Sequence, residues 1–139
     1  MLEDIRADEQ QLHQVFLNLF LNAMDAVSDC EDRCLKIRLY YDRTHIARKG
    51  QAPLLDVKCV KVDIEDTGVG IAKKDIEQLF TPFFTTKAEG SGLGLSVVHG
   101  IIAEHEGEIN VTSTVGEGAT FTLTFPLVAK LETVERVGT

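Results

Sequence analysis

Residues 14–27 read QVFLNLFLNAMDAV, and apolar side chains in and just before this stretch recur at the spacing of an amphipathic helix. The members of this apolar set are Leu12, Val15, Phe16, Leu19, Ala23 and Ala26. Asp8 followed three residues later by Gln11 predicts a capping box at the start of the helix. The pattern therefore predicts one helix that begins after Asp8 and runs to about Val27.

A narrow polar stripe runs along the same predicted helix. At about 100° per residue, one side of the helix collects Gln11, Gln14, Asn18, Asn22, Asp25 and Asp29. Apolar residues flank the stripe, with Val15 and Ala26 on one side and Leu17, Leu21 and Met24 on the other. Such flanks favour the wall of a polar pocket, although a solvated face stays equally open from this feature alone. An Asn carbonyl oxygen in such a wall is a good ligand for Mg²⁺.

Downstream of this helix the pattern changes to alternation, which predicts strands. The first two strands are indicated by Leu35, Ile37 and Leu39 and by Val60, Val62 and Ile64, and the polar residues 42–56 between them predict a long hairpin connection. Residues 108–113 and 119–125 predict a closing hairpin. Residues 73–80 and 93–106 predict helices, the second of which ends at Gly107 as its C-cap.

The predicted order is therefore α-β-β-α-α-β-β. Runs of antiparallel strands with separate helices are typical of the α+β class. We expect a two-layer α/β sandwich in which a mixed, mostly antiparallel sheet carries its helices on one face.

A glycine-bearing segment, DTGVGI at residues 66–71, directly follows the second predicted strand. Glycines two apart let the backbone approach a flat ligand where a side chain would block it. An aspartate at a strand end can accept a hydrogen bond from an exocyclic amine such as that of adenine. A tight turn held by the Asp side chain is the alternative. A Rossmann turn is excluded because no GxGxxG opens a helix here.

A second glycine-bearing segment, GSGLGLS at residues 90–96, leads into the next predicted helix. Free N–H groups and the helix dipole at a helix N-terminus favour a phosphate, and Lys87 lies just upstream to neutralise one. A Walker A loop is excluded because no GK[ST] follows. A flexible loop without a ligand is the alternative.

The segment that leads into this loop is rich in phenylalanine. Phe80, Phe83 and Phe84 lie in LFTPFFTTK, residues 79–87. They predict aromatic anchors, partly in the core, at the base of a lid that covers residues 81–92 and whose glycines let it move.

The bulk composition limits the possible partners. The 139 residues are 44% apolar and 26% charged with a formal net charge of −8, as in an ordinary globular domain. An acidic surface argues against nucleic acid as a partner, and the sequence shows neither a long apolar run nor a signal peptide. The three cysteines predict reduced thiols in a cytosolic setting.

Taken together, the motifs resemble the Bergerat-fold superfamily of histidine kinases, DNA gyrase, heat-shock chaperone ATPases and mismatch-repair ATPases. QVFLNLFLNAMDAV is similar to the N-box, DTGVGI and GSGLGLS to the two glycine boxes, and LFTPFFTTK to the phenylalanine box. The resemblance covers about residues 8–126 in the family order. TPFFTTK close to GSGLGLS points to the catalytic domain of sensor histidine kinases, and NAMDAV and HGII resemble the nitrogen-regulation type.

The resemblance implies ATP and Mg²⁺ as cofactors and assigns roles to individual residues. Asn22 ligates the metal, Asn18 contacts phosphate or metal, and Asp66 binds the adenine amine. Asn18 and Lys87 are the implied catalytic residues. The other implied nucleotide-binding residues are Gly68, Gly70, Ile71, Phe83, Lys87, Ser91, Gly92, Leu93 and Gly94.

Three positions depart from the family pattern. Many members carry Thr or Ser on the last strand where it faces the adenine, whereas here the inward position is expected to be Ala119, with Thr120 pointing outward. Asp25 stands where some kinases place a basic residue, so a phosphate contact there is not expected. His105 lies in HEG where HGG is usual, and we expect a structural role for it.

Three functions are compatible with this resemblance. The favoured one is a protein histidine kinase domain that donates the γ-phosphate of MgATP to a histidine on its own dimerisation helices, which then serve a response regulator. A self-contained ATPase of the same fold would need a Glu one turn before Asn22, where this chain has Asn18. A regulatory ATP-binding module without transfer is the third.

The same interpretation sets the expected domain organisation. Residues 1–130 are expected to form the ATP-binding domain and 131–139 a C-terminal tail. We expect a cytoplasmic monomer without direct membrane or nucleic-acid contact, and we expect MLEDIRAD to be an excised start rather than a natural N-terminus. Residues 42–56 carry no functional interpretation.

Overall fold

The computed structural model describes residues 7–46, 55–84 and 94–127. Its elements follow the predicted order. The helices are α1 (Glu9–Val27), α2 (Lys73–Ile76) and α3 (Gly94–Glu104), and the strands are β1 (Leu35–Ile46), β2 (Leu55–Asp66), β3 (Glu108–Thr114) and β4 (Gly118–Pro126). The predicted tail, residues 131–139, lies outside the described residues. In the described part of the chain, no helix has the length and apolarity needed to cross a membrane.

The four described strands form one sheet in the order β1-β2-β4-β3, with every pair antiparallel. The predicted sheet is therefore confirmed, and its described part is antiparallel throughout. The register places Ile64 of β2 opposite Phe121 of β4, and Phe121 opposite Val111 of β3. These side chains lie on one face of the sheet, because residues paired across antiparallel strands project to the same side.

That face carries the core between the sheet and the pair of helices α1 and α3. Val15 and Leu19 of α1 and Val98 and Ile102 of α3 are buried against Leu123 of β4. Each such side chain contributes about 1.5–3 kcal/mol when it is fully buried. The two-layer sandwich predicted from the helical and alternating patterns is thus confirmed.

The predicted polar connection is wrong for much of its length. Residues 42–46 belong to β1 and residues 55 and 56 to β2, so only residues 47–54 lie between the strands. Asp42 pairs in register with Cys59, and its carboxylate lies 3.3 Å from the Nζ of Lys61. β1 has one described neighbour, and an edge strand tolerates charged side chains, which is why polarity misled the prediction there.

The helix predicted for residues 73–80 is shorter in the structure. α2 ends at Ile76, and the chain continues in tighter turns in which Gln78 N–H donates to Asp75 O and Thr81 N–H donates to Gln78 O, both at 3.0 Å. Pro82 follows, and a proline disfavours helical geometry in the residue before it. The segment therefore turns instead of extending the helix.

The start of α1 is capped by two different residues. Asp8 Oδ1 accepts a hydrogen bond from Gln11 N–H at 3.1 Å, as the capping box predicts. The backbone N–H of Asp8 donates instead to Nε2 of His105, at 3.0 Å, and Nδ1 of His105 lies 2.8 Å from Ile101 O. A ring that accepts at Nε2 donates at Nδ1 when it is neutral. His105 thus has the predicted structural role, since it joins the end of α3 to the start of α1.

Helix α3 ends in a Schellman motif whose left-handed residue is Glu106. Gly107 N–H donates to Ile102 O at 2.9 Å and Glu106 N–H donates to Ala103 O at 3.0 Å, while Glu106 has a φ of 59°. The prediction that Gly107 is the left-handed cap is therefore wrong by one residue. Gly107 has a different reason to be glycine, because an added Cβ would lie 2.5 Å from Thr124 O.

The strained backbone of Glu106 leads to a stability prediction. Glu106→Gly should raise the free energy of unfolding by about 0.5–1 kcal/mol, because glycine adopts a left-handed conformation without a Cβ penalty. The matched control is Glu104→Gly, which places the same residue inside the right-handed helix and should lower stability by about 0.5–1 kcal/mol. Urea unfolding of the two variants decides the matter. A loss of stability in both would contradict the left-handed assignment.

Candidate functional site

The centre of the candidate site is the Asp66 carboxylate at the end of β2. Asp66 is only 5% exposed. Its Oδ1 accepts hydrogen bonds from Gly68 N–H at 2.9 Å and from Ala119 N–H at 3.3 Å. Among the described residues both bonds end on Oδ1, so Oδ2 can accept from a ligand. The tight turn held by the Asp side chain is therefore present, and acceptance of an amine by Asp66 stays a prediction.

The first glycine segment packs directly against the end of α1. A Cβ on Gly68 would lie 2.5 Å from the carbonyl oxygen of Ala26 and 2.7 Å from its Cβ. Val69 N–H donates to the same Ala26 oxygen at 3.1 Å. Only a glycine permits this approach of backbone to backbone, so Gly68 holds the segment that follows Asp66 against the helix that carries Asn18 and Asn22.

The other side of this segment contacts the turn between β3 and β4. Gly70 has a φ of 75°, and a Cβ there would collide with Thr114 O. Gly116 N–H donates to Val69 O at 2.8 Å. The spacing of these glycines predicted room for a flat ligand, whereas the described neighbours that require Gly68 and Gly70 are the protein's own backbone atoms.

We call the contacts that residues 67–71 make with α1 and with the β3–β4 turn the clamp. Two hydroxyl residues that were not predicted as site residues add further hydrogen bonds to it. Thr67 Oγ1 accepts from Cys34 N–H at 2.9 Å and donates to Asp32 O at 3.0 Å. Ser113 Oγ accepts from Ile71 N–H at 2.7 Å and donates to Gly118 O at 2.8 Å. Ser113 could have been found, because it is a polar residue at a position that alternates in phase with Ile109 and Val111. The sequence carries no comparable signal for Thr67.

The predicted amide pair lies where α1 meets the start of α3. Asn18 and Asn22 are both half-buried, one helical turn apart. The Asn18 amide nitrogen donates to the carbonyl oxygen of Gly94 at 3.4 Å, and a Cβ on Gly94 would lie 3.9 Å from Asn18 Cγ. The structure therefore brings Asn18 to the first residue of α3, as a shared phosphate site requires.

The apolar flanks of the stripe are not equivalent. Val15 is buried, but Leu17, Leu21 and Met24 are 58%, 49% and 61% exposed. Only the first flank is therefore packed in the described part of the chain. Those three side chains project from α1 on the side away from the sheet, so the sheet cannot cover them.

Several predicted residues cannot be compared with the geometry. Lys87, Ser91, Gly92 and Leu93, like most of the predicted lid, lie outside the described residues. Phe80 packs against the core, with its ring centroid 5.4 Å from that of His99. Phe83 is 74% exposed and has a φ of 69°. Phe80 is thus an anchor of the kind predicted, and Phe83 is not.

The donor set restricts which metal the site could hold. Within residues 7–46, 55–84 and 94–127, no group of three or more His, Cys, Asp or Glu residues could enclose an ion. Mg²⁺ differs from more strongly ligated metals because it usually keeps several waters and uses substrate phosphates. A single amide oxygen from Asn22 together with phosphate oxygens fits that chemistry, and a zinc-like site does not.

The cysteines lie apart from this donor set. Cys30, Cys34 and Cys59 are unpaired. Cys59 is buried, and this burial raises the pKa of its thiol. A buried thiol with a raised pKa stays protonated and unreactive near neutral pH.

A polar cleft of about 370 Å³ lies beside Asp66, at the ends of β2 and β3 and the start of β4. It shares Asp66, Ser113, Gly118 and Ala119 with the site, and its other walls are threonines and glutamates of the strands and of the turns beside them: Glu65, Thr67, Thr112, Thr114, Glu117 and Thr120. Thr120 faces outward, as predicted, and Ala119 is the buried inward residue. The cleft therefore opens on the face of the sheet opposite α1 and its two asparagines.

Comparison with known proteins shows where this geometry recurs. The family described as histidine kinase-, DNA gyrase B-, and HSP90-like ATPase matches residues 7–129. The sensor histidine kinase ZraS of Escherichia coli strain K12 is 41% identical over 132 residues, which are 91% of this chain and 24% of that protein. The signal transduction histidine-protein kinase AtoS of the same strain is 39% identical over 126 residues, which are 91% of this chain and 18% of that protein.

Solved structures agree with these relatives. The nucleotide-free catalytic domain of the histidine kinase ThkA matches with a TM-score of 0.64 and 32% identity, over 88% of this chain and 70% of that one. A mycobacterial sensor histidine kinase, MprB, matches with a TM-score of 0.68 and 25% identity, over 88% of this chain and 74% of that one. The chain spans about a quarter of the length of the curated relatives first matched.

The contact between Gly68 and α1 gives a direct mutational test. Gly68→Ala should destabilise the domain by about 1–3 kcal/mol, because the added methyl group forces backbone apart. The control is Gly100→Ala, since Gly100 lies within α3 with no atom within 4 Å of an added Cβ. That change should stabilise by about 0.5–1 kcal/mol. Thermal and urea unfolding measure both, and a Gly68→Ala variant as stable as the parent chain would disprove the close contact.

Proposed function

The chain belongs to the histidine kinase-, DNA gyrase B-, and HSP90-like ATPase family, and from this membership we propose that it binds MgATP and donates the γ-phosphate to a histidine on a separate dimerisation domain. The observation that carries the proposal is the buried Asp66 carboxylate, one oxygen of which is held by two backbone N–H groups. An acceptor fixed in this way is suited to an exocyclic amine. Its relatives ZraS and AtoS are named as histidine kinases.

The proposed adenine end is the segment that follows Asp66. Asp66 Oδ2 accepts from the adenine amine, and Gly68, Gly70 and Ile71 form the wall of the base pocket. The clamp against Ala26 and Thr114 supports this role, because it holds the wall rigid before the nucleotide arrives. A preorganised pocket loses less entropy on binding.

The proposed phosphate end lies between α1 and the start of α3. Asn22 would hold Mg²⁺, which would supply charge neutralisation to the phosphates, and Asn18 and Gly94 would lie beside them. Lys87, Ser91, Gly92 and Leu93, with Phe83 at the rim, are proposed to close over the phosphates. Positioning and charge neutralisation are most of what phosphoryl transfer requires of a protein.

A contact of Asn18 favours transfer over hydrolysis. A self-contained ATPase needs a base that activates water. Asn18 is neutral and donates its amide to Gly94 O, so it cannot take that proton. Histidine needs no such base on this domain, because the imidazole is itself the nucleophile. A regulatory ATP-binding module without transfer is the second candidate, and the intact Asn22 and Asp66 count against it.

The proposal also covers the bounds of the domain, its partners and its location. We propose that residues 1–130 act as one catalytic unit with 131–139 as a tail, that the partner is the protein's own set of dimerisation helices, and that a response regulator receives the phosphate afterwards. We propose a cytoplasmic position for this domain. The likeness of residues 22–27 and 99–102 to the nitrogen-regulation type stays a prediction.

Incubation with γ-labelled ATP tests the proposal. The chain alone should release little phosphate, because position 18 carries Asn in place of a hydrolytic base, and it should not label itself, because the proposed acceptor histidine lies on a separate domain. With a matching dimerisation domain added, acid-labile phosphate should appear on that partner. The control is the same partner with its acceptor histidine replaced. Rapid phosphate release by the chain alone would reject the kinase assignment in favour of an ATPase.

The metal ligand has a separate test. Asn22→Ala should abolish most of the gain in ATP affinity that Mg²⁺ gives, while metal-free binding through Asp66 changes little. Calorimetry with and without Mg²⁺ measures both quantities. Gln14→Ala is the matched control, since it removes an exposed amide from the same stripe. If Asn22→Ala kept the full Mg²⁺ effect, the ligand assignment would be wrong.

A further inference from the structure

We infer that Ser113 is a positioning residue for the adenine end of the site. The inference rests on the proposed function, because it concerns the same pocket. Ser113 lies on β3, and its hydroxyl connects two segments that are far apart in sequence and meet beside Asp66. The geometry below indicates that it orients the carboxylate without touching the nucleotide.

The hydroxyl uses its accepting and donating capacity on two different backbone groups. It accepts from Ile71 N–H at 2.7 Å, which holds the end of the first glycine segment. It donates to Gly118 O at 2.8 Å, which holds the turn that begins β4. A backbone hydrogen bond also connects the first glycine segment to the β3–β4 turn, since Gly116 N–H donates to Val69 O at 2.8 Å.

The contact with Gly118 is the one that reaches Asp66. The carbonyl of Gly118 and the N–H of Ala119 belong to a single planar peptide group. Ser113 holds the oxygen of that peptide, and its N–H donates to Asp66 Oδ1 at 3.3 Å. A hydrogen bond to the carbonyl also polarises the peptide and strengthens its N–H as a donor. The hydroxyl therefore sets the direction in which the peptide presents its proton to the carboxylate.

The surroundings of this peptide are tightly packed. Gly118 has a φ of 101°, and a Cβ there would collide with Asp66 O. Ser113 is half-buried and Gly118 is buried, so water reaches these groups poorly. Removing the hydroxyl would take one donor from Gly118 O and the acceptor from Ile71 N–H, so the peptide would be held less firmly in the orientation that serves Asp66, even though sheet pairing with β2 and β3 remains.

The experiment compares Ser113→Ala with the parent chain at a temperature well below both melting points. ATP affinity should fall about fivefold to thirtyfold, the range expected when a buried hydrogen-bonding partner is removed. The gain in ATP affinity from Mg²⁺ should be unchanged, because the substitution affects the adenine end of the site. Amide hydrogen exchange at Ile71 and Ala119 should quicken. Ser28→Ala is the matched control, since it removes a hydroxyl that bonds Asp25 O at 2.8 Å, outside the clamp.

Ser113→Cys serves if the alanine variant does not fold, because a thiol of similar shape is a weak donor and acceptor. It should show a smaller loss in the same direction. Affinity equal to that of the parent chain in the folded variant, or a loss confined to the Mg²⁺-dependent part, would overturn the inference.

Asp66→Asn separates this inference from the function itself. If Asp66→Asn weakens ATP binding and Ser113→Ala does not, only the role of Ser113 is wrong. If the parent chain does not bind ATP, the proposed function fails, and the exchange rates of Ile71 and Ala119 still report on the hydrogen bonds of Ser113.

Discussion

The close approach of three backbone segments beside the Asp66 carboxylate is the constraint on which this end of the domain depends. The segment after β2 lies against the last turn of α1 on one side and against the β3–β4 turn on the other. Gly68 and Gly70 permit these two contacts, and Gly118 permits a third, between the start of β4 and Asp66 O. A Cβ at any of these glycines would meet backbone atoms that cannot move aside. These contacts orient the carboxylate. Its two N–H donors are Gly68, in the segment after β2, and Ala119, in β4.

The same constraint relates the two ends of the candidate site to each other. α1 carries Asn18 and Asn22 and also supplies the Ala26 carbonyl that holds the first glycine segment. A shift of α1 would therefore move both the amide pair and the wall beside Asp66. The opposite end of α1 is joined to the end of α3 through Asp8 and His105. Helix α1 is thus held at both ends, and Asn18 in its middle is bonded to Gly94 of α3.

This arrangement explains how one fold can serve different reactions of ATP. In the proposed function, the base end would recognise adenine by backbone geometry and one carboxylate. The chemistry at the phosphate end then depends on single side chains of α1. A neutral amide at position 18 is not a base that could activate water, which agrees with the proposal that the acceptor is a histidine on a partner domain. Family membership establishes the fold and the nucleotide-binding class, while these side chains support transfer within that class.

The order of the elements and the inward faces of the helices and strands could be predicted from the sequence. Apolar spacing at periods of 3.6 and 2 reflects burial directly, as Leu19 and Phe121 show. The sequence also predicted ligand-binding roles for Asp66, Asn18 and Asn22, since a carboxylate at a strand end and paired amides on a helix are local signals, and these roles stay predictions. Polarity misled it at residues 42–46, where an edge strand tolerates charge, and at Glu106, which takes the left-handed position in place of Gly107.

The roles of the glycines and hydroxyls became visible only in the folded chain. Gly68 and Gly70 are required by Ala26 and Thr114, which lie more than 40 residues away in sequence. Ser113 matters because the register of β3 against β4 places its hydroxyl beside Gly118. Contacts of this kind depend on how whole elements pack, and packing distances are not encoded in any short stretch of residues. The sequence could therefore nominate candidate ligand-binding side chains, but the groups that hold those side chains in place appear only after the chain has folded.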